Sequence, residues 1–278
     1  MPSRLRLLHL SRRDARCRPA RFPVGTTPPG PGGGSRDGAL ASTFYAVLQI
    51  RHGERADMSD DARELAEVQR RHWQSTYTAH PGMYGDAPSA PAAHAARVFR
   101  AAGAVDVLEM GAGHGRDALY FAREGFTVRA TDFSPVGLDQ LRRAAQDQGV
   151  AERVTTTVHD VREPLPLPDA SAEAVFAHML LCMALSTEEI HALVGEVGRV
   201  LKPGGTFVYT VRHTGDAHYG SGTAHGDDIY EHGGFAVHFF PRRLVDSLAD
   251  GWTLDEVHAF EEGDLPRRLW RITQTLPR

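Results

Sequence analysis

The sequence predicts an α/β domain: a mostly parallel, doubly wound sheet of seven strands that ends in an antiparallel hairpin. Three observations lead there. Short apolar runs alternate with amphipathic segments, the pattern of repeated βα units. A glycine-spaced turn, "MGAGHGR" at 110–116, joins the first of those runs to an amphipathic stretch. The last two apolar runs are joined by only "EEGDLPRR", too short for a parallel crossover, so they pair as a hairpin.

The elements follow in order. Residues 60–77 read as an amphipathic helix with Leu65, Val68 and Trp73 on one face and Ser59 or Asp60 as its cap. "AHPGMYGDAPSAP" (79–91) is a loop, and 92–102 a second helix. Val105–Met110 is the first strand and Arg116–Glu124 the helix after it. Thr127–Thr131 is the second strand; Ser134 caps the next helix, with Pro135 at its first position. Arg153–His159 and Ala174–His178 are strands three and four. Ser186 and Glu189 form a capping box that opens a helix to Leu201. "LKPGG" then reads as a helix stop and turn into strand five, Thr206–Val211, with Lys202 as a cation at the helix end. Residues 213–238 read as a long polar loop, 241–249 as a helix, and 253–260 and 269–275 as the hairpin strands. Ligands of such sheets bind outside the carboxyl ends of the strands.

What the glycine turn holds is decided by its neighbours. The dinucleotide fingerprint places a third glycine where Arg116 stands, so a nicotinamide oxidoreductase is disfavoured. Glu109 at the end of strand one would repel a pyrophosphate and suits an ammonium group. Asp132, 21 residues after Gly111, closes strand two, where an acid accepts the hydroxyls of a ribose. Asp160 closes strand three, placed for an adenine amino group. An adenosine with an amino-acid tail satisfies all three acids.

"VLEMGAGHGRDALYFA", "VRATDFS", "VHDV", "FAHMLLCM" and "LKPGGTFVYTV" together resemble the ordered motifs of class I S-adenosylmethionine-dependent methyltransferases, over about residues 60–276. The resemblance implies a Rossmann-like seven-stranded fold with its last strand inserted antiparallel. It also implies S-adenosyl-L-methionine as cofactor, with Gly111, Gly113 and Gly115 against its methionine moiety. Asp132 would then meet the ribose, Phe133 the adenine face, and Asp160 with Val161 the adenine edge, while His178 and Met179 line the pocket near the sulfonium. His114 inside the turn departs from the small or polar residue usual there.

Strand four ends in "AHMLLCM", without the N/D-P-P-Y/F motif of base amino-methylation, and the acceptor is expected to be a small molecule attacked through oxygen, sulfur, nitrogen or a metalloid. A same-fold sensor that binds the cofactor without transfer is the competing reading. His178 and His213 are the candidate bases. The histidines of 213–238 match no zinc spacing, so no metal is expected, and the segment reads instead as an acceptor lid that includes His238.

Composition narrows the class further. No apolar run reaches the roughly 20 residues that cross a bilayer, and two cysteines suit a reducing, cytoplasmic setting for a monomer or homodimer. The first 57 residues hold ten arginines against four acids, a surplus of +6 that leaves −10 on the remainder of a chain of net −4. An acidic body argues against nucleic acid as partner. "RPARFPVGTTPPGPGGGSRDG" lacks any hydrophobic period, and residues 1–57 read as a disordered or non-native extension ahead of a domain at 58–278. Deleting them is expected to leave the melting temperature and cofactor affinity nearly unchanged; a loss of several degrees in a thermal melt would show that the segment packs on the domain.

Overall fold

The computed structural model describes residues 60–263 and 267–278, so the expectations for residues 1–57 and for a cap at Ser59 lie outside it. In chain order the described elements are α1 (Asp60–Ala79), α2 (Ala90–Ala101), β1 (Asp106–Met110), α3 (Arg116–Arg123), β2 (Thr127–Asp132), α4 (Pro135–Asp147), β3 (Val154–Val158), β4 (Ala172–His178), α5 (Thr187–Val200), β5 (Leu201–Arg212), β6 (Thr223–Gly226), β7 (Ile229–His232), β8 (Phe235–His238), α6 (Arg242–Leu248), β9 (Thr253–Glu262) and β10 (Arg267–Thr275).

Seven strands form the main sheet in the order β3-β2-β1-β4-β5-β10-β9. Strands β1 to β5 pair in parallel, and β10 runs antiparallel to both β5 and β9. The order reverses between β1 and β4, which opens a crevice at their carboxyl ends. Alternate side chains along each strand serve two cores. On one face Val107, Val128, Phe176 and Val208 pack against α2, α3 and α4 through Phe99, Phe121 and Leu141. On the other, Leu108, Met110, Phe207 and Tyr209 pack against Ile190, Val197 and Leu244 of α5 and α6. Each fully buried side chain of this size contributes about 1.5–3 kcal/mol.

The helices start where their sequence chemistry directs. The Ser89 hydroxyl caps α2, the Ser134 hydroxyl accepts from Gly137 N ahead of Pro135, and the Ser186–Glu189 box closes in both directions on α5.

Two segments differ from the sequence reading. "LKPGG" is not a turn outside the strand but the start of β5, whose register jumps from Ala172–Leu201 to Ala174–Thr206 and leaves Lys202–Gly205 as a bulge. Lys202 therefore does not cap the helix: its Nζ donates to Glu173 at 2.9 Å. Residues 213–238 are not a plain loop either, because β6, β7 and β8 pair into a three-stranded antiparallel sheet. This excursion leaves and rejoins the main body at one place. His213 bridges Phe240, Phe240 N donates to Arg212 O at 2.9 Å, and Thr214 N donates to Phe240 O at 3.1 Å.

Helix α1 ties the two sheets together. Gln69 donates to Gly234 O and accepts from Ala236 N on the small sheet, at 3.0 and 3.1 Å. Trp73 and Phe235 meet edge to face, and Gln140 of α4 donates to Tyr77 O at 2.8 Å.

Candidate active site

The carboxyl ends of β1, β2, β4 and β5, roofed by α1 and walled by the small sheet, enclose a cavity of about 670 Å³. Gly111, Gly113, Glu109, Asp132, Phe133, His178 and Met179 all line it. The glycine turn carries left-handed backbone at φ 71°, 56° and 91° for Gly111, Gly113 and Gly115. A Cβ at Gly113 would stand 2.5 Å from the Tyr77 hydroxyl, so only glycine lets α1 come down on the turn. Gly115, by contrast, faces Leu141 of the core and does not line the cavity.

Two buried acids flank the turn. Glu109 is 3% exposed, and its Oε2 has no hydrogen-bond partner. Burial, reinforced by the nearby Asp117 carboxylate, pushes its carboxyl well above the ordinary range. Asp132 is better held: Oδ2 accepts from Gly113 N and Oδ1 from Ser134 N, both at 2.8 Å. Burial outweighs those donors and raises its pKa to about 6.

Beside the cavity, Phe133 and Asp160 line an adjoining side pocket with Trp73 and Arg70. Asp160 is already paired there, Oδ2 with Arg70 of α1 at 2.6 Å and Oδ1 with Arg162 at 3.3 Å. Val161 packs against the core and lines neither space.

At the opposite end, His178 sits between two partners. Its Nδ1 is 2.8 Å from the Thr210 hydroxyl, and its Nε2 is 3.5 Å from Glu262 Oε1. The His178 ring holds the Glu262 carboxyl below its usual range, against the opposing effect of burial. Met179 follows with left-handed backbone (φ 58°), its N–H donating to the same Thr210 hydroxyl at 2.9 Å. Aromatic groups complete this end: Tyr84, stacked on His114, from the 79–91 segment, and Tyr230, Phe235 and Phe239 from the small sheet.

The structure separates the two histidines read as candidate bases. His213 does not line the cavity; its ring stacks on Trp270 at 4.5 Å, and its Nδ1 accepts from Gly215 N. The reason is strand parity. Thr210 and Arg212 point into the site, so the residue one step further along points away. His238 is 1% exposed and donates from Nδ1 to Leu185 O at 2.7 Å, so it belongs to the wall's interior and not to a lid surface. Sequence reasoning did not single out Glu262, Thr210 or Arg212; each reaches the site only through the pairing of β4, β5, β10 and β9.

Residues 107–205 match a family model described as a methyltransferase domain. The matched stretch spans β1 to the start of β5, the part of the sheet that carries the glycine turn and Asp132. Among curated relatives of this family, the chain is 38% identical over 106 residues to a dimethylglycine N-methyltransferase from Parasynechococcus marenigrum (strain WH8102), a match covering 37% of this chain and 36% of that protein. The chain thus matches about a third of that relative's length. Among solved methyltransferase structures, the 1,6-didemethyltoxoflavin-N1-methyltransferase of Burkholderia thailandensis, with bound 1,6-didemethyltoxoflavin and S-adenosylhomocysteine, superposes with a TM-score of 0.62 at 20% identity, covering 81% of this chain and 94% of that one. The CcbJ methyltransferase of Streptomyces caelestis gives 0.57 at 24% identity, covering 73% and 96%. At these identities the likeness speaks for the shared fold. No helix among the described residues is long and apolar enough to cross a membrane, and no group of three or more His, Cys, Asp or Glu among them is arranged to hold a metal.

Proposed function

We propose that the protein transfers a methyl group from S-adenosyl-L-methionine to a small-molecule acceptor. The observation that carries this is Glu109: a buried carboxylate oxygen without a partner, beside a glycine turn, in the same cavity as Asp132. A ligand amino group would give Glu109 the hydrogen bond it lacks. Gly111 and Gly113 would lie against the amino-acid tail, Asp132 would accept from the ribose, and Phe133, Asp160 and Arg70 would bound the adenine. When bound, the cofactor supplies a methyl already activated on a sulfonium.

The chain's own task is then to orient the acceptor in line, keep water out and take a proton where the nucleophile carries one. His178 is the group we assign to that proton. Thr210 fixes its ring, and Glu262 stabilises the imidazolium that would form. Tyr84, Tyr230, Phe235 and Phe239 exclude water around it. The acidic body and the aromatic-lined cavity support a small acceptor over nucleic acid, and the cysteine usage supports a cytoplasmic setting.

Calorimetry with S-adenosylhomocysteine and NAD tests the cofactor half, where heat is expected from the first alone. Tight NAD binding with no S-adenosylhomocysteine heat would overturn the proposal. On an acceptor found by methyl-transfer screening, His178→Ala is expected to lower turnover at least about tenfold, ~1.4 kcal/mol of barrier, with cofactor affinity kept. His213→Ala should change turnover much less; the reverse order would move the base to His213.

A further inference from the structure

Three arginines line the cavity, Arg116, Arg212 and Arg267. Two of them face acids that line it as well: Arg116 lies 3.4 Å from Asp117, and Arg267 lies 3.5 Å from Glu262. Arg212 is arranged differently. Its counter-ion, Asp216, has a side chain with no exposed surface and stands outside the cavity lining. The Asp216 carboxylate is saturated from behind, accepting from Arg212 Nε at 3.1 Å, Arg212 Nη2 at 2.5 Å, His218 N at 2.8 Å and Arg268 N at 2.7 Å. Burial opposes its ionisation, but these donors prevail and bring its pKa down to about 2. The guanidinium is thus clamped along one edge, and Phe239 supports it 4.9 Å from its ring centre. Among the described residues Nη1 is the guanidinium nitrogen without a hydrogen-bond partner, and Arg212 lines the cavity.

His218 adds a second donor beside it. Arg212 Nη2 approaches His218 Nδ1 at 2.9 Å. The same Nδ1 lies 3.2 Å from Asp216 Oδ1, but its shorter approach is to the guanidinium, which only donates, so we assign Nδ1 as the acceptor there and the imidazole proton to Nε2. His218 also lines the cavity. Thr210, which holds His178, lies two residues before Arg212 on the same face of β5, a spacing of roughly 7 Å along the strand. Tyr230, Phe235, Val237 and Phe239 line the same cavity.

From this placement we infer that the methyl acceptor is a compact carboxylic acid with an apolar body, its carboxylate held by Arg212 Nη1 and His218 Nε2 while its nucleophilic atom meets His178. The inference rests on the methyl-transfer reading for the word acceptor, but the anion subsite can be tested apart from it. Arg212 is a specificity-determining group, and Asp216 is the positioning residue behind it.

The test is calorimetric titration of benzoate and of its neutral isostere benzamide, with and without S-adenosylhomocysteine. Benzoate is expected to bind the wild type at least about tenfold more tightly than benzamide, the size of one charge-assisted pair. Arg212→Gln alone strands the Asp216 charge, so the double variant R212Q/D216N, which leaves no unpaired ion, is the informative one. Its melting temperature should fall by a few degrees, because an amide at 216 accepts through one oxygen only and leaves either His218 N or Arg268 N unpaired, while S-adenosylhomocysteine affinity stays near wild type and the benzoate preference falls close to one. His218→Phe leaves the ion pair intact and should weaken benzoate about threefold or more. Equal binding of benzoate and benzamide to the wild type would overturn the inference, and so would a preference that survives in R212Q/D216N. Inorganic phosphate that competes more strongly than benzoate would reassign the subsite to phosphate and overturn the carboxylate. Failure of S-adenosylhomocysteine to bind would overturn the methyl-transfer reading instead, and the benzoate comparison in the same samples would still be read on its own.

Discussion

Gly115→Ala is expected to destabilise the domain by about 2–4 kcal/mol, a fall of roughly 5–15 °C in melting temperature for a domain of this size. Two independent penalties add. The backbone there has φ 91°, a conformation an L-residue adopts only under strain. A new Cβ would also stand 2.2 Å from Leu141 Cδ1 and 2.8 Å from both Leu141 Cβ and Cγ. Leu141 has no exposed surface, so α4 would have to move with it. Because Gly115 does not line the cavity, the loss belongs to stability, and S-adenosylhomocysteine affinity measured well below the melting range should fall far less. A melting temperature within a degree or two of wild type would mean that the turn relaxes freely.

Asp132→Ala should cost cofactor binding about 1.5–3 kcal/mol, a 10- to 150-fold weaker dissociation constant for S-adenosylhomocysteine by calorimetry. The carboxylate would accept from the ribose, and it also anchors Gly113 N, so its removal loosens the turn it sits beside. The pH dependence has a defined sign. The acid titrates near 6 in the folded protein, above its ordinary 3.8. In the free protein this group's stabilising contribution is full below that ordinary value and is lost as pH rises through about 6. Ligand binding runs the other way: the ionised form accepts the ribose hydroxyls, so affinity is gained as pH rises through 6 and declines below it. Asp132→Asn should reduce that dependence. Unchanged affinity in Asp132→Ala would mean that the ribose is held elsewhere.

The sheet from β1 to β5 and the closing hairpin were legible because their signals are local. Apolar runs of strand length, Ser-Pro and Ser-x-x-Glu helix starts and the glycine turn each act over a few residues. The acids at the ends of β1 and β2 were legible for the same reason, since a strand's carboxyl end is itself the site. What stayed hidden depends on pairing between distant segments. The four-residue strands β6 and β7 are built from "TAHG" and "IYEH", with β6 wholly exposed, so neither length nor alternation marks them. His178 ends one strand and His213 lies just past the end of the next, and only the parity of each position relative to the cavity-facing side of the sheet decides which one faces the cavity. Glu262 looks in sequence like part of a charged hairpin tip. Its place beside His178 comes from the order β4-β5-β10-β9 in space.

The excursion from His213 to Phe240 begins and ends at one bridge, so its two ends are already joined whatever lies between them. None of the main sheet's ladders runs through it; its own three strands pair with one another. It also lies wholly beyond the stretch that matches the family model, which stops at residue 205. This wall of the cavity is in that sense a cassette. A lineage can exchange it for another of different length and chemistry at small cost in chain entropy, since closing a longer loop adds only about 0.6 kcal/mol per doubling. New binding preferences would then arise by swapping one inserted segment, while the half of the domain that carries the glycine turn is inherited intact.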